Sequence, residues 1–183
     1  MEKKIVKIEV CLRIMERKDV VERNCEYYNV ILVSDEIHSD IVFKGYKHIP
    51  IAFLSSEIAQ TSITFMLAGK TFNLSGLSAS YAIVPNTKIR EKFNKQLKLA
   101  GVHEPSIFGI VAAEAGYSYG KEWLEDVLNY MEKNYKYMVR YISEKIPKIK
   151  VIKQEGTYLA WLDCREIGLI LMNSRIFSPI TRK

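Results

Sequence analysis

Lys70 follows an apolar, β-branched run, Ile63-Thr64-Phe65-Met66-Leu67, with only Ala68 and Gly69 between. Such a run has the composition of a short buried strand, which places the lysine at a strand's carboxyl end, pointed into a crevice. A lysine amine in that position can form a Schiff base or act as a base. Gly69, Ser75, Gly76 and Ser78 leave room for close backbone approach and offer N–H and hydroxyl donors to an anion. Upstream, Val30-Ile-Leu-Val33 leads directly into a second polar insertion, Ser34-Asp35-Glu36-Ile37-His38. Two buried strands ending in such residues form the crevice in which open α/β sheets hold ligands.

Two local patterns point elsewhere and are weak. Asp35-Glu36-Ile37-His38 resembles the Asp-Glu-x-His box of helicases, and Ala68-Gly69-Lys70-Thr71 resembles the end of a phosphate-binding loop. That loop needs G-x-x-x-x-G-K-[ST]; here the first glycine position is Thr64, inside a strand run, and the chain order of the two motifs is reversed. Asp35, Glu36, His38, Asp40 and His48 lie close in sequence, but without the repeated, spaced ligand pair that zinc favours. No metal is expected.

The elements that must position Lys70 and Asp35 read as α/β. Strands are predicted within 5–14, at 30–33, 63–67 and 81–84, and later at 149–153 and 157–162. A helix is predicted over 16–28, with Val20, Val21 and Cys25 on one side, and a brief one around Ser55–Ala59. Asn86 is a good N-cap for a helix carrying Ile89, Phe93 and Leu97, closed by Gly101. A second helix, rich in small residues, spans Ser106–Gly116. From Lys121 to Ile146 an apolar stripe (Leu124, Val127, Met131, Tyr135, Met138, Ile142) predicts one long helix ended by Pro147. Such a helix often bridges two domains; the expected division is 1–133 and 134–183, the second part entered through the helix. The last dozen residues support no element.

Bulk composition fits this. The 183 residues are 48% hydrophobic and 26% charged, a globular balance. The net charge of +6 includes Lys145, Lys148, Lys150 and Lys153, which alternate with Ile146, Ile149, Val151 and Ile152 as a helix end and a strand with one wet face do. No nucleic-acid partner is expected. Three scattered cysteines, no apolar leader and no run of ~20 apolar residues predict a soluble cytoplasmic protein without a membrane partner.

Five stretches together carry a family resemblance: Tyr28-Asn-Val-Ile-Leu-Val-Ser-Asp-Glu-Ile-His-Ser-Asp40, Lys47-His-Ile-Pro50, Lys70-Thr-Phe-Asn-Leu-Ser-Gly-Leu77, Phe108-Gly-Ile110 and Glu155-Gly-Thr-Tyr-Leu-Ala-Trp-Leu-Asp163. In this order, over roughly 16–169, the chain resembles the fold-type I pyridoxal-phosphate-dependent aminotransferases, nearest their cystathionine β-lyase (C–S lyase) branch. The resemblance implies a three-layer α/β/α large domain like that of aspartate aminotransferase, incomplete here, plus the start of a small α+β carboxyl-terminal domain.

By the same resemblance Lys70 forms the internal aldimine with pyridoxal 5'-phosphate, Asp35 pairs with the pyridine nitrogen, and His38 approaches the phenolic oxygen. A carboxylate beside the ring nitrogen keeps it protonated, so the ring accepts the electrons left when the substrate's α-proton departs. A lyase then expels a thiol from the β-carbon of a sulfur amino acid; an aminotransferase reprotonates on the cofactor instead. A homodimer is implied by family. The chain departs from the pattern at Gly69, where the branch commonly has a Ser or Thr that helps hold the phosphate, and at Ala68, where a proline or another small residue is frequent. It also lacks the family's glycine-hydroxyl phosphate loop, the aromatic stacked on the ring, the asparagine near the phenolic oxygen and the substrate-carboxylate arginine. The expectation is therefore a central slice of such an enzyme, from a truncated or split gene product. The reading of another class is an inactive remnant that binds cofactor weakly or serves only as a partner-binding fold.

Overall fold

The computed structural model describes residues 4–9 (backbone only), 25, 27, 28, 30–102 and 105–167. The helix predicted over 16–28 lies outside these residues except at Cys25, Tyr27 and Tyr28, of which Cys25 and Tyr27 are helical.

Four strands form the main sheet in sequence order: β1 (Lys4–Glu9), β2 (Val30–Asp35), β3 (Ser62–Leu67) and β4 (Ser80–Ile83). β1, β2 and β3 run parallel, with Asp35 level with Glu9 on one side and Phe65 on the other, and β4 returns antiparallel to β3. The carboxyl ends of β2 and β3 thus share one edge. β2 is buried in strict alternation: Val30, Leu32 and Ser34 are buried, while Ile31, Val33 and Asp35 are half-buried.

Each face of the sheet is covered, as the apolar run at 30–33 requires. Val30 and Leu32 pack with Cys25, Ile51, Leu54 and Ile58; Ile51 comes from a 3-10 turn (Ile51–Phe53) and Ile58 from helix α1 (Ser56–Thr61). Ser55 caps α1 by accepting from the Ile58 N–H. On the other face Ile63, Val84 and Ile89 pack with Ile31, Phe65, Ala82 and Phe93.

Lys70 lies in a helical turn: α2 (Ala68–Thr71) starts where β3 ends. The predicted caps hold for α3 (Thr87–Leu99), where Asn86 Oδ1 accepts from the N–H groups of Lys88 and Ile89. Gly101 follows with φ +68°, a conformation glycine adopts without strain. Helix α4 (Ile107–Tyr119) runs three residues past the expected end and is capped by Ser106. It leaves Ile107 and Phe108 almost fully exposed. Helix α5 (Lys121–Lys145) is continuous over its 25 residues.

The two late strands shrink to a pair, β5 (Lys150–Val151) and β6 (Leu162–Asp163). The reason lies at Gly156 and Thr157. Gly156 bridges antiparallel to Val42, Thr157 N–H donates to the Ile41 carbonyl, and Thr157 takes φ +63°. A positive φ at a β-branched residue breaks a strand, so the apolar run 157–162 docks on the loop after β2 instead of pairing along its length. A Cβ on Gly156 would collide with the Ile41 carbonyl oxygen, which explains the glycine. Among the described residues no helix is long and apolar enough to cross a membrane.

Candidate active site

The edge where β2 and β3 end carries all three predicted site residues. Asp35 is the last residue of β2, on the same face as Ile31 and Val33. His38 stands in the turn that follows, closed by Ser39 N–H to the Glu36 carbonyl and Ile41 N–H to the His38 carbonyl. Lys70 is the third residue of α2, immediately past β3. The imidazole registers both charges: burial and the Lys70 ammonium hold His38 below its ordinary pKa, and Asp35 opposes them. The three groups are therefore electrostatic neighbours. His38 is uncharged at neutral pH, so one ring nitrogen donates and the other accepts. Its Nδ1 is buried with no hydrogen-bond partner among the described residues.

Glu36, next to Asp35 in sequence, does different work. Its side chain is fully buried and accepts from Ser34 Oγ at 3.0 Å, the Ile51 N–H at 2.9 Å and His48 Nε2 at 2.8 Å. Burial pushes the carboxyl upward, but these hydrogen bonds outweigh it and hold Glu36 below its ordinary pKa. The Asp-Glu pair of the helicase-like pattern is thus split: one carboxylate at the strand end, the other tying the loop around Ile51 to β2. His48 is engaged by Glu36, and Asp40 by Thr71 and Tyr117. No three His, Cys, Asp or Glu side chains among the described residues are placed to hold a metal ion.

The small residues near Lys70 serve packing more than ligand access. A Cβ on Gly69 would meet Ser75 Cα at 3.0 Å and Ser75 N at 3.1 Å. Ser75 Oγ donates to the Gly69 carbonyl, as does the Leu74 N–H. Ser75 was expected to offer its hydroxyl to an anion; the structure commits it to folding the turn back onto α2. Gly76 alone of the two nearby glycines has open space around it.

Phe72 fixes the other side of this turn. Cβ atoms on Gly116 and Gly120 would lie 2.7 Å from its ring, so the two glycines form a slot for it. Tyr117 meets the ring edge-on at 5.3 Å, and Trp123 at 6.2 Å. Tyr117 also donates to Asp40 Oδ2 at 3.2 Å; burial and its neighbours Tyr81 and Asp40 drive its phenol far above the ordinary value.

Tyr158, Asp40 and Phe72 were not singled out as site residues by sequence. Tyr158 packs edge-on against His38, ring centroids 5.2 Å apart, because the bridge at Gly156 and the Phe43 N–H bond to the Glu155 carbonyl bring its segment to the loop after β2. Tyr135 on α5 supports the same junction, packing on Phe43 and accepting the Gln154 N–H on its hydroxyl at 3.1 Å. The one available signal for Tyr158 was its place two residues after Gly156 in a motif that already carried the resemblance.

Comparison with known proteins shows the family and fold to which the chain is similar. The family model for aminotransferase class I and II matches residues 13–175. Cystathionine beta-lyase PatB of Bacillus subtilis is 40% identical over 159 residues, covering 86% of this chain and 41% of that protein. A PLP-bound structure from Clostridium difficile 630 superposes with a TM-score of 0.85 at 37% identity, covering 91% of this chain and 44% of the other. Cystalysin from Treponema denticola, whose structure contains pyridoxal 5'-phosphate, gives 0.82 at 28% identity, covering 91% and 44%. The chain spans less than half the length of each of these relatives. With most of its length matched by the family model, the chain belongs to the class I and II aminotransferase family.

Proposed function

We propose that this chain carries the catalytic lysine of a pyridoxal-phosphate-dependent C–S β-lyase acting on sulfur amino acids. The observation that carries the reading is the convergence of Asp35, His38 and Lys70 at one sheet edge, with His38 sensing both charges. The donor set fits the cofactor: a buried imidazole nitrogen with no partner among the described residues suits a group supplied from outside the chain. When bound, pyridoxal phosphate supplies the electron sink for deprotonation at an amino acid's α-carbon.

The chain's own groups then divide the work. Lys70 would hold the cofactor through its ε-amine and, once released by the substrate's amine, take the α-proton. Asp35 would face the ring nitrogen and oppose its loss of a proton. Neutral His38 would hydrogen-bond the phenolic oxygen. The lyase reading over the aminotransferase one is supported by the name and 40% identity of PatB. We further propose a cytoplasmic homodimer. Free Cys25 and Cys164 support the first, and the apolar side chains exposed on α4 support the second.

The test mixes the purified chain with pyridoxal phosphate, follows the absorbance of a lysine-bound cofactor, and traps it with borohydride in wild type and Lys70→Ala. Trapping at Lys70, with pyruvate released from cystathionine, supports the proposal. A band unaffected by Lys70→Ala refutes the lysine's role. An adduct at Lys70 without pyruvate would leave a binding fold and refute the lyase activity of this chain.

A further inference from the structure

A helix of four residues cannot hold itself together, because one turn fixes several dihedrals for a single hydrogen bond. The direction of the Lys70 side chain must therefore be imposed on α2 from outside. Three attachments do so. Gly69 is pinned to the Ser75 turn, Phe72 is seated between Gly116 and Gly120, and Thr71 Oγ1 donates to Asp40 Oδ2 at 2.7 Å.

Of these, the Thr71–Asp40 bond alone joins the lysine-bearing turn to the loop that bears His38. Asp40 is two residues beyond His38, in a turn closed by two backbone hydrogen bonds. Glu36 N–H to the Phe65 carbonyl and Ser39 Oγ to Met66 Sδ tie the same loop to β3 before the turn; the Thr71–Asp40 bond reaches the turn itself, through one hydroxyl and one carboxylate. The same Oδ2 receives the Tyr117 hydroxyl from α4, so the loop after β2, the lysine turn and α4 converge on one oxygen. A hydrogen bond to a carboxylate is about twice as strong as one between neutral groups. It is also directional enough to fix a register that apolar packing leaves free to slide.

We propose that Asp40, acting through Thr71, is the positioning residue that sets the Lys70 amine relative to Asp35 and His38. As a claim about active-site geometry it rests on the reading of Lys70 given above. Lys70 touches the reacting atoms in that reading; Asp40 and Thr71 do not, and act only on where the amine stands.

The experiment compares wild type, Thr71→Val, Thr71→Ser and Tyr117→Phe, with circular dichroism confirming each fold. Site-resolved labelling of Lys70 by trace acetic anhydride, read by mass spectrometry without cofactor, reports the environment of the amine. Borohydride trapping of pyridoxal phosphate at Lys70 is measured beside it. Thr71→Val keeps the shape and removes the donor. It is expected to change the Lys70 labelling rate and to slow trapping by about tenfold, the scale of one lost hydrogen bond to a charged group. Thr71→Ser restores the donor and is expected within about twofold of wild type, and Tyr117→Phe should fall short of the Thr71→Val change. A folded Thr71→Val protein whose Lys70 labels at the wild-type rate overturns the proposal, as does a Thr71→Ser protein that matches Thr71→Val. If Thr71→Val does not fold, Asp40→Ala, which removes the acceptor, replaces it in the same comparison. Failure of wild type to trap cofactor at Lys70 would refute the functional reading, while the labelling still decides the role of Asp40.

Discussion

His38 and Tyr158 meet edge to face, ring centroids 5.2 Å apart and planes 74° from each other. One residue follows a central strand of the main sheet and the other belongs to the segment between β5 and β6. Their contact is the aromatic end of a junction whose polar end is the Gly156–Val42 bridge. The ring of Tyr158 packs on the imidazole that neighbours Asp35 and Lys70, so the late segment of the chain borders one side of the candidate site.

Replacing Tyr158 therefore tests that contact. An edge-on aromatic pair contributes about 0.5–1.5 kcal/mol beyond its buried area. Tyr158→Ala is expected to weaken pyridoxal phosphate binding by roughly 2- to 10-fold, and Tyr158→Phe to leave it near wild type, because the contact is made by the ring. Equilibrium titration of cofactor absorbance measures both. Equal losses in the two variants would show that the hydroxyl matters and the packing does not.

The charges around His38 give a prediction with a sign. Burial and Lys70 lower its pKa from the ordinary 6.5, and Asp35 raises it. Lys70→Met should therefore move the His38 titration up, and Asp35→Asn should move it down, as followed by NMR of the imidazole carbon-bound protons. Between the folded and unfolded pKa values the unfolded chain binds more protons, so stability rises with pH there. The stabilisation by neutral His38 is fully present above pH 6.5 and is lost as pH falls through the folded value. A His38 titration that moves down in Lys70→Met, or up in Asp35→Asn, would place those charges elsewhere.

Glu36 acts in a lower window with the same sign. Its folded pKa lies below the ordinary 4.5 because hydrogen bonds from His48, Ile51 and Ser34 outweigh burial. Its contribution is present above pH 4.5 and disappears as pH drops through the folded value. Glu36→Gln should cost about 1–3 kcal/mol at neutral pH, the range for a weakened buried acceptor of charge-assisted bonds. It should also flatten the acid limb of a urea-unfolding series measured from pH 7 down to about pH 2. An unchanged acid limb would mean that Glu36 is not the group whose protonation destabilises the fold.

These residues also show how far the chain could be read before folding. The strand-end positions of Asp35 and Lys70 were legible because each stands where a continuous apolar run stops, and a run of that kind must be a buried strand with a carboxyl end. Asn86 was legible because an N-cap is a local device, satisfied within three residues. Glu36, Asp40 and Tyr158 were not, since their roles depend on partners at 48, 71 and 38, and periodicity carries no information about which loop meets which. Ser75 misled for a related reason. A hydroxyl beside a glycine suits an anion or a tight turn equally well, and only the 3.1 Å bond from Ser75 Oγ to the Gly69 carbonyl decides for the turn. The apolar run 157–162 failed as a strand because Thr157 adopts a positive φ that its side chain alone does not favour.

The Phe72 slot supplies a prediction that runs against the usual propensity. Gly→Ala within a helix ordinarily stabilises by about 0.5–1 kcal/mol, because glycine loses more backbone freedom on folding. At Gly116 the added methyl would lie 2.7 Å from the Phe72 ring, itself confined by Tyr117 and Trp123. Overpacking of that kind costs about 1–3 kcal/mol, so Gly116→Ala is expected to lower the denaturant midpoint instead of raising it. Phe72→Leu removes the ring the methyl would strike. In that background Gly116→Ala should lose most of its penalty, giving a coupling of at least about 1 kcal/mol between positions 72 and 116. Because Phe72 follows Lys70 by two residues, the same strain should reach the lysine turn and slow cofactor trapping in Gly116→Ala. A Gly116→Ala protein more stable than wild type would mean that the helix does not press on Phe72, and that α2 is held in place by Thr71 and Ser75 alone.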